Sequence, residues 1–349
     1  MTTRTAPAPS PPSAPRIPPG ASMAAIFRAR EAATAGLVLL VFALATLKDH
    51  NFADANSIQQ LLTGASLVAL LGVGETMVIV TRNIDLSVGS VLGLCAFVVG
   101  DLFRNQHIPV WSGFVIAIAL GAAVGLINGL ITVFARVPSL VVTLATLYIF
   151  RGIDAKLVNG HIVVPSQVPG AFTAVGYRTI AGIPWLAIIV AVVVVIAGYA
   201  MRTFRPCREL YAIGSNPDAA ALAGIPAGRR VLGAFVASGA LAGLGGALFL
   251  ALFAQVDNSA GVGYELNVVA AVVVGGVAIF GGSGTVVGAA LGALLLNTIQ
   301  QGLVAVRSSS YWSEAIAGAL LLVAIAIDRW LALRVARRLR TAEGAHREL

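Results

Sequence analysis

Charge is what this chain has least of. Only 11% of its 349 residues are Asp, Glu, Lys or Arg, where a soluble domain carries about a quarter. Lysine is scarcest of these. Lys48 follows Leu and Lys156 follows Ala, whereas a phosphate-cradling G-x-x-x-x-G-K-[ST] loop needs Lys after Gly. That route to ATP is therefore closed to this chain. The four histidines (His50, His107, His161, His346) fall in polar loops or the C-terminal tail and form no H-E-x-x-H pair, which argues against a metal hydrolase. Cys95 and Cys207 share no metal-ligand spacing. No metal site or bound cofactor is expected, and no nucleophile–base constellation marks an enzyme.

What the chain has instead is apolar sequence. Hydrophobic residues make up 58% and mean hydropathy is +0.90, so lipid is the solvent to consider first. The runs are continuously apolar rather than alternating, which excludes a membrane β-barrel. A span needs roughly 20 apolar residues, and ten candidates appear: 32–47, 61–81, 87–103, 112–134, 138–153, 183–201, 231–254, 266–280, 284–304 and 313–327. The expected fold is an all-α polytopic membrane protein of about ten transmembrane helices. "RNID" (Arg82 to Asp85) is either a tight turn or a break inside a re-entrant segment, tolerated only where protein buries it. "GGSGTVVG" (281–288) lies between two spans without a βαβ context, so it reads as a tight turn with close helix packing. "GAAVGLINGL" (121–130) and "GAALGALLLN" (288–297) hint at an internal repeat.

The net charge of +8 suits cytoplasmic loops better than a nucleic-acid partner. With the N-terminus inside, 17 of the 23 basic residues fall in cytoplasmic segments, so both termini are expected in the cytoplasm. This places 202–230 inside, and it places 154–182 and 255–265 outside. A Pro-rich disordered tail (1–30) precedes the transmembrane domain (31–328), and a basic cytoplasmic tail (329–349) follows it.

The segment 202–230 is a polar island holding five Arg, one Glu and one Asp. Within it, "SNPDAAALAGIP" (215–226) carries matched start and stop signals for a helix. Asn216 is a good N-cap and Pro217 suits the first helical position. Asp218 lies where the helix dipole favours negative charge, Ala219 and Ala220 are strong formers, and Gly224 fits a left-handed C′ position before Pro226. A helix of about seven residues is marginal alone. Either it rests on the membrane surface or it docks a soluble partner.

"DAAALAG" resembles the Glu-Ala-Ala-x-x-x-Gly type of loop in permeases of ABC importers, with Asp218 in the acidic place. "LYAIGSNPDAAALAGI", "TRNIDLSVGSVLG" (81–93), "VPSLVVTLATLYIFRGI" (137–153) and "AAVVVGGVAIFGGSGTVVGAALGAL" (270–294) resemble the ribose and monosaccharide branch of that family. "TRNIDLSVGS" with "YWSEAIAGALLLVAIAID" (311–328) looks most like its rhamnose and autoinducer-2 permeases. One departure is "FRPCREL", where the branch often has Gly-Arg. The resemblance runs from about residue 35 to 328. It implies a bacterial inner-membrane subunit that pairs with a second permease copy or paralogue. It also implies a cytoplasmic ATPase subunit that holds ATP and Mg, and an extracytoplasmic binding protein that delivers solute. Residues 216–220 and Gly224 would then form the ATPase-coupling helix, and Asp85, Ser87 and Gly89 belong to the family signature.

Ionisable residues inside the bilayer are functional candidates by default. Glu75 is the clearest, against the alternative of reaching the interface or pairing with Arg82. Asp85 caps the following segment or meets solute. Asn128, Asn297, Gln300 and Gln301 either line a path or join helices. Scarce intramembrane charge argues for a neutral, sugar-like cargo. The absence of a charged relay disfavours the alternative, an ion-coupled secondary transporter.

Overall fold

The computed structural model describes residues 23–305, 312, 315–323 and 326. The tails before 23 and after 328, and part of the tenth candidate span, lie outside the described residues. The described chain is helical, with one two-residue hairpin. In order come α1 (Met23–Lys48), α2 (Ala55–Ile79), α3 (Val88–Gln106), α4 (Val110–Phe134), α5 (Ser139–Val158) and α6 (Gly170–Tyr177). The hairpin β1–β2 (Thr179–Ile180 and Ile183–Pro184) leads into α7 (Trp185–Thr203), α8 (Arg205–Ser215), α9 (Pro217–Leu222) and α10 (Ala227–Phe253). Then follow α11 (Tyr264–Val274) and α12 (Val286–Ala305), with further helix at 315–323.

Among the described residues, seven helices are long and apolar enough to cross a membrane: α1, α2, α3, α4, α7, α10 and α12. Each of the ten candidate segments carries helix, but a count of ten spans goes beyond that. α5 bears Arg151, Asp154 and Lys156 towards its end. α11 has 11 residues, roughly 16 Å, about half a hydrocarbon core. The apolar run 266–280 does not continue as helix: α11 ends at Val274, Gly276 takes φ +93°, and Gly281, Gly282 and Gly284 of the turn that follows also take positive φ.

Small residues build the bundle's centre. α4 places Gly121, Gly125 and Gly129 at helical spacing on one face, the first two against Gly239 and Gly243 of α10 and the third against Leu232 and Phe235. A Cβ added at Gly121 would run into the Gly239 carbonyl, and one at Gly239 would run into the Gly121 carbonyl. Without a hydrophobic drive between helices in lipid, such close backbone approach supplies the dispersion contact that associates them. A second close approach fastens α11 to α12. Gly275 faces the Gly288 carbonyl, and Gly292 faces that of Ala271. The "GGSGTVVG" stretch is thus the tight turn and close packing expected of it.

The bundle has two ends. At one lie the island helices α8 and α9. At the other, the loops following α5 and α10 meet, where Val163 and Val256 exchange backbone hydrogen bonds of 3.0 and 3.2 Å. Phe172 of α6 packs there against Phe103 and Phe114, with ring centroids 4.8 and 4.6 Å away.

Candidate functional site

The island begins with an element that the sequence reading missed. α8 starts with Pro206 in its first turn, where the missing N–H costs nothing. It buries Leu210, Ile213 and Gly214, an i, i+3, i+4 stripe that could have revealed it. Glu209 lies on this buried side. It accepts from Arg205 Nε at 2.8 Å and from Arg230 Nε at 2.5 Å. Arg230 sits in the first turns of α10, so one carboxylate ties the start of the island to its end. The hydrogen bond from Arg230, then that from Arg205, holds the Glu209 carboxyl below the usual carboxylate range.

α9 matches its sequence signals closely. The Asn216 side-chain oxygen accepts from the Ala219 N–H at 3.0 Å, Pro217 opens the helix and Asp218 lies in its first turn. At the far end Gly224 takes φ +72°. Its N–H donates to the Ala221 carbonyl, and that of Ile225 donates to the Ala220 carbonyl, both at 3.0 Å. These are the paired bonds of a Schellman motif, which satisfy carbonyls the helix leaves free. Ala220 is buried towards the bundle, whereas Asp218, Ala219 and Ala221 face outward and Leu222 is 91% exposed.

Three distant segments are knotted directly behind α9. Arg82, at φ +67°, donates from Nε to the Gly214 carbonyl at 2.6 Å and from Nη2 to the Ser215 carbonyl at 3.0 Å. The Gly282 N–H donates to the Val80 carbonyl at 2.8 Å, and the Tyr211 hydroxyl donates to the Gly284 carbonyl at 3.0 Å. The connection between α2 and α3, the end of α8 and the glycine turn before α12 therefore share one contact. Arg82 does not pair with Glu75, contrary to one sequence expectation. The unpaired carbonyls at the end of α8 draw the cation instead.

From that knot the chain turns back into the bundle. Val80 to Ser87 is non-helical yet largely buried, as irregular backbone at membrane depth must be. It carries the family-signature residues into a polar cluster. The Asp85 N–H donates to Glu75 Oε1 at 3.1 Å. Asp85 Oδ1 accepts from the N–H and the hydroxyl of Ser87, at 3.0 and 2.6 Å. Asn128 Nδ2 donates to Ser87 Oγ at 2.8 Å, and the Ser238 hydroxyl donates to Asp85 Oδ2 at 3.3 Å. Glu75, Asp85, Ser87 and Asn128 are all buried, so Glu75 does not reach an interface. Glu75 Oε2 and Asn128 Oδ1 have no hydrogen-bond partner among the described residues. One turn on, Gly89 lets the 254–263 loop close on α3, since a Cβ there would meet the Gly261 carbonyl at 2.6 Å. Asn297 belongs to neither group. It lies against Gly64 of α2, towards the end of the bundle opposite the island.

A bundle with seven helices long and apolar enough to cross a membrane marks a multi-pass membrane protein. The chain belongs to the family described as "Branched-chain amino acid transport system / permease component", which matches residues 57–325, and it is a membrane permease subunit of that ABC importer class. Among its relatives is the "Autoinducer 2 import system permease protein LsrC" of Yersinia enterocolitica, 34% identical over 315 residues, 89% of this chain and 86% of that protein. Proteins of the same name from Yersinia pestis and Yersinia pseudotuberculosis are 32% and 33% identical over 313 residues, 89% of this chain and 88% of each relative. No solved structure matches.

Proposed function

We propose that this chain is the membrane-spanning subunit of an ATP-driven importer for a small, neutral, hydroxyl-rich solute, and that α9 docks on its ATPase. The observation that carries this reading is the form of α9. A six-residue helix is too short to persist alone, yet this one is capped at both ends, braced by α8 and the Glu209 bridges, and presents Leu222 to the outside. An exposed apolar side chain on a fixed mount is suited to a pocket on a partner. The knot of Arg82, Gly214 and Gly282 gives motion at α9 a direct route to α2, α3 and α12. The names of the relatives, which import autoinducer 2, support a solute of that class. On this reading the island faces the cytoplasm, a binding protein delivers solute at the opposite end, and a second permease completes the path. The test is reconstitution with a cognate ATPase and binding protein. Solute-dependent ATP hydrolysis is expected, and Leu222→Asp should abolish it.

One observation favours a second reading, an ion-coupled secondary carrier. Glu75 and Asp85 form a buried carboxylate pair, and proton-driven carriers use such groups. That reading predicts uptake by this chain alone under a proton gradient, without ATP.

A further inference from the structure

The end of the bundle opposite the island holds a groove of ≈ 540 Å³ between α2, α6, α10 and α12, within the range of about 300–1,000 Å³ typical of small-molecule sites. Among the described residues its polar lining is neutral. Asn56, Gln59, Gln60 and Gln301 supply carboxamides, and Thr63, Thr179 and Tyr177 supply hydroxyls. Among the described residues, no Asp, Glu, Lys or Arg lines it. Each carboxamide can donate and accept at once, as can each hydroxyl, so the wall matches a ligand whose groups also do both. Two aromatic rings border it, Tyr177 at 63% and Phe253 at 51% exposure, and a ring face suits the C–H side of a sugar.

The groove also points inward. Gln60 and Gly64 are one turn apart on α2, as are Gln301 and Asn297 on α12. Asn297 therefore lies one turn deeper on the same faces, pressed against Gly64 with its Oδ1 buried and lacking a hydrogen-bond partner among the described residues. A buried acceptor left open is costly unless a ligand or water meets it.

We propose that this groove is a docking site for solute on the permease itself, taking an uncharged polyol or monosaccharide ring and handing it towards Asn297. The proposal rests on the importer reading for its role but not for its chemistry. A charged solute would find no counter-charge among the described residues that line it.

The test uses the assembled complex in lipid nanodiscs with Cys207→Ser as background. Gln60→Cys is labelled with a membrane-impermeant maleimide in the presence of L-rhamnose, D-ribose, autoinducer-2 or D-glucuronate. At least one of the three neutral probes should slow labelling several-fold, and glucuronate should not. Gln59→Leu with Gln301→Leu removes two hydrogen-bonding groups and should reduce uptake from saturating loaded binding protein about tenfold, with Gln301→Asn partly restoring it. Import of a neutral probe with no slowing by any of them would overturn the groove while leaving the importer intact. Slowing without ATP-dependent import would keep the groove and sink the importer. Equal slowing by glucuronate would refute the neutral specificity.

Discussion

Gly214→Ala is the sharpest perturbation of the link between α9 and the membrane helices. In an ordinary helix, Gly to Ala gains about 1 kcal/mol. Here a Cβ at residue 214 would overlap the Val80 carbonyl oxygen, and it would lie 2.5 Å from the Gly282 nitrogen and 2.9 Å from the Val80 carbonyl carbon. All three are backbone atoms, so no side chain can swing aside. Overpacking of this kind costs about 1–3 kcal/mol, which offsets the helical gain and leaves a net loss of up to about 2 kcal/mol. The larger effect is on geometry. Moving α8 off Val80 lengthens the Arg82 bonds to Gly214 and Ser215, and these join the island to the connection between α2 and α3. The expected outcome is a modest fall in thermal stability with a severe loss of coupled uptake. Gly233→Ala in α10 is the matched control, because nothing lies within 4 Å of its Cβ, and it should be neutral or slightly stabilising. If both variants behave alike in melting and in uptake, the knot is not a mechanical link.

Three further outcomes follow from the same geometry. Gly224→Val forces a β-branched residue to φ +72°, at a cost of about 1–2 kcal/mol or more. Membrane insertion should be normal and transport lost, and normal uptake would refute the capped-helix role. Glu209 has its carboxyl held low, so its bridges stabilise the island above the usual carboxylate range and are lost as pH falls through the lowered value. Proteolysis of 202–230 should rise at acid pH in the native chain. In Glu209→Gln it should be raised already at neutral pH and change little with pH. Gly239→Leu should separate α4 from α10 and prevent stable folding in detergent, whereas a well-folded variant would refute the small-residue seam.

Much of the local structure could be read from residue order, because caps and apolar runs are short-range signals. Asn216, Pro217, Gly224 and Pro226 announced α9, and continuous apolar runs announced the helices. The failures were of longer range. α11 stops at half a bilayer because glycines after it turn the chain, while composition alone continued the run to residue 280. Arg82 could reach Glu75 by sequence separation, yet it binds carbonyls of α8, some 130 positions away. The groove at the opposite end joins side chains from helices and a hairpin far apart in sequence, and position alone had singled out only Asn297 and Gln301 in its neighbourhood.

The central claim is that this permease moves solute at the expense of ATP hydrolysed by a docked partner. Uptake of L-rhamnose, D-ribose and autoinducer-2 into proteoliposomes holding the full complex tests it most directly. Accumulation of at least one that requires ATP and the loaded binding protein, and that Leu222→Asp abolishes, is the expected result. Accumulation driven by a proton gradient in the absence of ATP and of the ATPase would contradict it.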